Sequence, residues 1–322
     1  MTQPRRPAEH PIAILVNPHA TAARPGLTEY AQSRLAPFDV RAVLTTRQRG
    51  HAADLARLAI DEHAALTVVT LGGDGTAAEA AGALVGTGAV LAPVPTGSTN
   101  VFSRTIGWPA EPHAAIDRLV DAIANGQHAE SVTIGHVDAS GQERYFIVNA
   151  GVGVDAEATD LVERHPGWKK RAGQAWFAGA VVAATARGWR QPLIHASIDG
   201  GTPFPVASMS VACTRPYAYF RRRPFDLVPD AGSRGSLGWL AAVSRGVSGP
   251  AIASAGAFTG GWHLDSSQVA HGTASEGIVL ECDEGMALQA DGEPLGRHRR
   301  IVLRPADGLL VLRGDAPAES PA

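Results

Sequence analysis

The sequence is poor in cysteine, methionine and aromatic residues, and it carries no strong charge of either sign. Cys213 and Cys282 are the only cysteines in 322 residues. One bridge is the most they can form, no disulfide framework exists, and a reduced, cytoplasmic setting is expected. A net charge of −3 supplies no global basic field, so no nucleic-acid partner is expected. No uninterrupted apolar run approaches the ~20 residues that a spanning helix needs. Met1–Glu9 is polar, contains Arg5 and Arg6, and leads into no signal-peptide core. Asp315–Ala322 reads as a frayed tail. What remains is an ordinary globular composition, 45% hydrophobic and 18% charged, in a chain long enough for two domains with their own cores.

Residues 1–130 alternate strand and helix. The pattern predicts strands at Ile12–Val16, Val40–Thr45, Thr67–Leu71 and Val90–Val94. Helices are expected at Leu27–Leu35, His51–His63, Thr76–Val85, Asn100–Ile106 and Pro112–Ala124. This rhythm implies a doubly wound α/β domain with a mostly parallel sheet, whose ligands bind beyond the carboxyl ends of the strands. The rhythm changes near Ser131. Short β-rich segments then predict an antiparallel β-sandwich over residues 131–299. They are Val132–Asp138, Arg144–Ala150, Leu193–Asp199, Val206–Thr214, Leu237–Val243, Gly277–Cys282 and Met286–Ala290. Ile301–Arg304 and Leu309–Leu312 follow, and helices are expected at Asp155–Glu163, Lys170–Arg187 and Pro250–Ala257.

The most informative run is Leu71-Gly72-Gly73-Asp74-Gly75-Thr76, between an apolar strand and an alanine-rich helix. Its glycines let backbone N–H groups approach a ligand, and the helix start adds free donors and a positive dipole end. This suits a phosphate. An aspartate inside such a turn repels phosphate, so Asp74 points to a Mg²⁺ ion or to a proton handled beside the phosphates. Asn17, after the first strand, either closes an Asx turn or presents its amide to a ligand. Thr45-Thr46 ends the second strand, and Gly50-His51-Ala52 opens the next helix. In Pro95-Thr96-Gly97-Ser98-Thr99-Asn100 the hydroxyls either bond phosphate oxygens or cap the following helix. Parallel-sheet geometry brings these turns to one edge. Far downstream, Asp291-Gly292 reads as a hairpin turn, and its neighbour Glu293 reads as a solvated acid or as part of the chemistry.

Gly72-Gly73-Asp74-Gly75-Thr76, Pro95–Asn100, Asn149-Ala150-Gly151-Val152-Gly153-Val154-Asp155-Ala156 and Asp291-Gly292-Glu293 occur in this order. Together with Asn17-Pro18 and Gly50-His51-Ala52, the set resembles the diacylglycerol kinase catalytic-domain family, which includes bacterial lipid kinases and sphingosine kinases. The resemblance runs over residues 11–313. It implies a nucleotide-binding domain over 1–130, completed by the final segment at about 300–322, and a lipid-binding β-sandwich domain, with the active site in the cleft between domains. It implies ATP and Mg²⁺ as cofactors and transfer of the γ-phosphate to a lipid hydroxyl, diacylglycerol being the family default. Asn17, Gly72, Gly73, Gly75, Thr76, Gly97, Ser98, Thr99 and Asn100 match nucleotide-contacting motif positions. Thr45 and Thr46 lie where the nucleoside sits. Asp74 takes the position near metal and phosphates, and Glu293 that of the general base. A dimer is compatible with the family.

The chain departs from the family pattern in three places. Val101 replaces an aspartate common after the asparagine of the second turn. The first turn reads Asn17-Pro18-His19-Ala20-Thr21, with Gly26 only later. Gly232-Ser233-Arg234-Gly235-Ser236 stands where some relatives hold a structural metal, and its arginine argues against one.

Two stretches suit a bilayer interface, and both have an alternative as ordinary buried or solvated structure. Trp168-Lys169-Lys170-Arg171 leads into an apolar run that ends at Arg187-Gly188-Trp189-Arg190. Tyr217–Phe225 places Arg221, Arg222 and Arg223 beside aromatics. They carry the expectation of peripheral contact with the inner face of the membrane. The rival readings are a soluble-metabolite kinase of the NAD kinase type, which shares the glycine turns, and a catalytically silent lipid- or nucleotide-binding protein on the same scaffold. Asn100 and Asp291-Gly292-Glu293 favour the lipid-kinase pattern over the first. Retention of Asp74 and Glu293 argues against the second.

Overall fold

The computed structural model describes residues 11–64, 66–163, 193–220, 223–243 and 248–314. They form two compact units. Unit 1 comprises residues up to Val132 together with Asp307 onward, and unit 2 comprises Thr133–Ala306.

Unit 1 alternates strand and helix: β1 (Pro11–Val16), α1 (Leu27–Leu35), β2 (Asp39–Thr45), α2 (His51–Asp61), β3 (Thr67–Gly72), α3 (Asp74–Leu84), β4 (Val90–Pro95), α4 (Val101–Thr105) and α5 (Pro112–Ala124). The strands are parallel, in the order β2-β1-β3-β4. β1 and β3 are buried along their whole length, the mark of a sheet covered on both faces. The chain leaves β1 for β2 on one side and returns to β3 on the other. The carboxyl ends of β1 and β3 therefore flank a topological switch point, where open α/β sheets bind ligands. Leu310 and Val311 lie parallel to Val90 and Leu91 of β4.

Unit 2 is antiparallel and strand-rich. Its strands are β5 (Glu130–Ala139), β6 (Gln142–Phe146), β7 (Asn149–Val152), β8 (Ile194–Ile198), β9 (Phe204–Val206), β10 (Ser208–Ala212), β11 (Ala218–Phe220), β12 (Arg223–Phe225), β13 (Leu237–Ala242), β14 (Val269–Ala274), β15 (Ile278–Ala290) and the long β16 (Glu293–Val311), whose last residues belong to unit 1. Helices α6 (Val154–Glu163) and α7 (Ser248–Phe258), and a short 3-10 turn (Trp262–Asp265), interrupt them. The central order is β14-β13-β10-β7-β15-β16. A core of Phe146, Met209, Val211, Ile278, Leu280, Leu288 and Ile301 holds it. Both cysteines are buried and unbridged.

The α/β-plus-antiparallel architecture is as the sequence implied, and the differences are local. The expected strand Arg144–Ala150 is two strands, β6 and β7, because Ile147 and Val148 give their amides to the Asp291 carboxylate instead of a ladder. Val206–Thr214 likewise divides into β9 and β10. Conversely, Gly277–Cys282 and Met286–Ala290 belong to one strand, interrupted only by a register shift between Glu281 and Met286. β11, β12, β14 and the 3-10 turn were not anticipated. The expected helix Lys170–Arg187 lies outside the described residues.

Candidate active site

The site in unit 1 is built where two glycine turns touch. Gly72 ends β3 and Gly73 is the N-cap residue of α3, in an extended conformation (φ −91°). Gly72 and Gly73 do not use left-handed backbone, and their freedom is not why they are glycine. The reason is space. A Cβ on Gly72 would stand 2.5 Å from the Thr76 Cβ, and one on Gly97 would stand 2.6 Å from the Gly73 Cα. The turns after β3 and β4 thus approach backbone to backbone.

Asp74 and Gly75 lie in the first turn of α3, not in the turn before it as the sequence reading had them. The reason is a cap in trans. The Asp74 carboxylate accepts N–H bonds from Val101 (2.8 Å) and Phe102 (3.0 Å), at the start of α4. Asp74 is therefore the side chain that caps α4, and Ser98 and Thr99 are exposed beside each other at 3.5 Å. Burial pushes the Asp74 carboxyl above its ordinary range, against the pull of those two amides and of the Arg104 charge. Asn100 adopts a left-handed conformation (φ 48°) and spends its amide on both backbone groups of Gly97, each at 2.9 Å. It shapes the loop from within.

Asn17 closes the site from β1. Its Oδ1 accepts the His19 N–H (3.0 Å), the expected Asx turn, and its Nδ2 donates to the Thr76 hydroxyl (2.9 Å). The Asn17 N–H bonds the Leu71 carbonyl, which ties the ends of β1 and β3. Thr46 is buried and its N–H bonds the Val16 carbonyl, while Thr45 is exposed at the end of β2. The structure therefore gathers Asn17, Gly72, Gly73, Asp74, Thr76, Gly97 and Asn100, with Thr46 joined to the end of β1. Thr96, in the β4 turn, has a buried hydroxyl with no partner among the described residues. Glu79 was missed. Its two carboxylate oxygens accept the N–H groups of Gly50 (2.8 Å) and Ala52 (3.1 Å), capping α2. Helix α3 thus caps both neighbouring helices, and no sequence spacing announces a partner 27 to 29 residues away.

In unit 2, Ala290 and Glu293 pair across a two-residue turn, and Asp291 (φ 49°) and Gly292 (φ 77°) give it the type I′ character expected of Asp-Gly. Neither acid is left to solvent. Asp291 accepts the N–H groups of Ile147, Val148 and Asn149 at 2.9 to 3.1 Å. Glu293 pairs with Arg144 at 2.7 Å and is 21% exposed. Behind the turn lies a polar network that was not anticipated. The Tyr217 hydroxyl (2.8 Å) and the Gln289 amide (2.6 Å) both donate to Asp155 Oδ2, and the Gln289 amide also donates to Asn149 Oδ1 (3.0 Å). Burial raises the Asp155 carboxyl above its ordinary range, opposed by those two donors. Burial, then the Asp155 charge, pushes the Tyr217 phenol well up.

The donor set fits a phosphate ligand and a hydrated Mg²⁺. Among the described residues no cluster of three His, Cys, Asp or Glu side chains forms a protein cage. Mg²⁺ does not require one, since it binds through one or two carboxylates plus water and phosphate. Each Asp74 oxygen keeps a lone pair beyond its amide bond.

The comparisons with known proteins fall into place here, first as a fold class. Across 97% of this chain and 99% of its own, a solved structure of a candidate diacylglycerol kinase from Bacillus anthracis str. Sterne superposes with a TM-score of 0.71 at 19% identity. A second structure, of diacylglycerol kinases from the same strain, gives 0.65 at 17%. Both show the fold. Sequence adds a partial match: residues 11–132 match the diacylglycerol kinase catalytic domain, and over that stretch the resemblance read from the motifs is borne out. The protein named diacylglycerol kinase from Mycobacterium tuberculosis (strain ATCC 25618 / H37Rv) is 31% identical over 147 residues, 45% of this chain. The same figures hold for the protein of strain CDC 1551 / Oshkosh. The match spans 44%, less than half, of the length of these curated relatives.

Proposed function

We propose that this chain is an ATP-dependent lipid kinase that transfers the γ-phosphate to a lipid hydroxyl, with diacylglycerol as the first acceptor to test. The observation that carries the reading is the contact of the Gly72-Gly73 and Gly97 turns, after β3 and β4 and beside the β1/β3 switch point, inside the stretch that matches the catalytic domain. Backbone N–H groups of these turns, the α3 dipole and the hydroxyls of Thr76, Ser98 and Thr99 suit phosphate oxygens. Thr45 and Thr46 suit the nucleoside. Asp74, with water, would hold a Mg²⁺ ion, which when bound would supply charge neutralisation for the phosphates.

The chemistry needs little covalent help from protein. The lipid oxygen attacks the γ-phosphorus, the bond from that phosphorus to the β–γ bridging oxygen breaks, and ADP leaves. The hydroxyl proton passes to the Glu293 carboxylate, which Arg144 orients. Peripheral membrane contact is part of the proposal, because the acceptor resides in a bilayer. Among the described residues no helix is long and apolar enough to cross a membrane.

The test is incubation with radiolabelled ATP and a panel of diacylglycerol, monoacylglycerol, a sphingoid base and NAD, with the product identified by mass spectrometry. Label in a phosphorylated lipid is the expected result. Label in NAD alone, or nucleotide binding with no transfer to any acceptor, would end this reading.

A further inference from the structure

Two large apolar side chains of unit 2 face solvent: Phe258 is 51% and Trp262 46% exposed. They sit on either side of Gly260-Gly261, at the end of α7 and the start of the 3-10 turn. Residues 248–264 contain no Asp, Glu, Lys or Arg. The exposed positions leading to the tip, Ala251 and Ala255, continue the same apolar helix face. Several polar groups at this tip are satisfied internally. The Trp262 indole N–H donates to the Thr259 hydroxyl (2.7 Å), which itself donates to the Ala255 carbonyl (2.8 Å). The N–H groups of Thr259 and Gly261 both bond the Gly256 carbonyl. The tip is also held from below. His263 is wholly buried with its Nε2 3.2 Å from the Leu227 carbonyl, and the Phe258 ring lies 4.7 Å from Phe225. Arg223 is exposed two residues before Phe225, on the same face of β12. The nearby Asp226 is neutralised by Arg215 at 2.6 Å.

We propose that Phe258, Trp262 and Arg223 form a docking surface for an anionic lipid bilayer. An exposed aromatic pair costs the folded protein solubility and gains from burial at an acyl–headgroup boundary, where Trp partitions well. Entry requires no unpaired indole N–H, because Thr259 already accepts it. The rigid support from His263 and Phe225 lowers the entropy lost on docking. Arg223 supplies the sign that selects an anionic headgroup. The choice of a bilayer over a protein partner rests on the lipid-kinase reading. The choice of surface does not.

The experiment is co-sedimentation of the full chain with vesicles of phosphatidylglycerol mixed with phosphatidylcholine, and of phosphatidylcholine alone. Phe258→Ser with Trp262→Ser is expected to weaken binding to the anionic vesicles at least about tenfold. Arg223→Gln is expected to weaken it about fivefold, and to leave the weaker binding to neutral vesicles unchanged. Bromolipid quenching of tryptophan fluorescence should occur in the wild type and diminish in Trp262→Phe. Equal sedimentation of wild type and double variant overturns the proposal, as does a concentration-dependent dimer that the double variant abolishes. Transfer to a dispersed short-chain diacylglycerol, measured in parallel, should be equal in wild type and double variant. Its absence in both, with vesicle binding intact, would count against the kinase reading and not against the surface.

Discussion

The site in unit 1 depends on a residue that carries no chemistry. Gly97→Ala would drive a methyl group to 2.6 Å from the Gly73 Cα and 2.8 Å from the Asn100 Oδ1, so the two turns must part. Overpacking of this kind costs roughly 1–3 kcal/mol, and here the strain falls on the ligand-facing amides. The expected outcome is a folded protein with a modest drop in melting temperature and a disproportionate loss of ATP affinity, read by calorimetric titration. Asp74→Ala and Glu293→Ala should each lower lipid phosphorylation at least ~100-fold while circular dichroism stays native. Near-wild-type turnover in either variant would remove that acid from the proposed role. The glycines and both acids stand out in the sequence as candidates because their chemistry is local: a turn, a carboxylate, a hydroxyl. Arg144, Asp155, Tyr217 and Gln289 were not legible as partners. Each meets its neighbour across at least 62 residues of chain, and only packing brings them together.

At the scale of elements, helix α3 acts through its ends and sides on its neighbours. Glu79 holds the first amides of α2, which no residue of α2 itself caps. Glu79→Ala is expected to cost about 1–2 kcal/mol, and Glu79→Gln less, because its amide oxygen still accepts one N–H. A chemical denaturation series checks the order. A similar clamp holds β8 to the start of β15. Burial acts to raise the Asp199 carboxyl and is outweighed by N–H bonds from Gly277, Ser275 and Glu276, which leave it below its ordinary range. A depressed carboxyl contributes stability that is present above its unfolded value, about 3.9, and is lost as pH falls through the folded value. Asp199→Asn should therefore lower the melting temperature at neutral pH, with the difference shrinking below about pH 4. Equal melting curves across that range would contradict it. The sequence showed the elements of unit 1 to within about two residues, since buried parallel strands and amphipathic helices each carry a period. In unit 2 it divided and merged strands wrongly. There a register shift or a side-chain grip on backbone amides decides where a ladder stops, and neither leaves a periodic trace.

At the scale of the whole molecule, the chain leaves unit 1 after Val132 and contributes to it again from Asp307. The second contribution is small but well anchored. Leu309 and Val311 are fully buried, Leu312 nearly so. The Leu312 N–H bonds the Leu91 carbonyl, and the Trp108 indole N–H bonds the Leu312 carbonyl. Gln127 donates to the Arg313 carbonyl, and Arg118 to that of Gly314. Three buried aliphatic side chains at about 1.5–3 kcal/mol each amount to roughly 5–9 kcal/mol, comparable to the whole net stability of a domain. A chain ended at residue 306 should consequently lose cooperative folding of unit 1 and with it ATP binding, though it keeps every motif residue from Asn17 to Glu293. Leu312→Pro, which keeps the chain length but removes the N–H to Leu91, should give a milder version of the same loss. If the truncated chain still bound ATP with wild-type affinity, the nucleotide unit would be complete in residues 11–132, and the final strand would serve something other than that unit's stability.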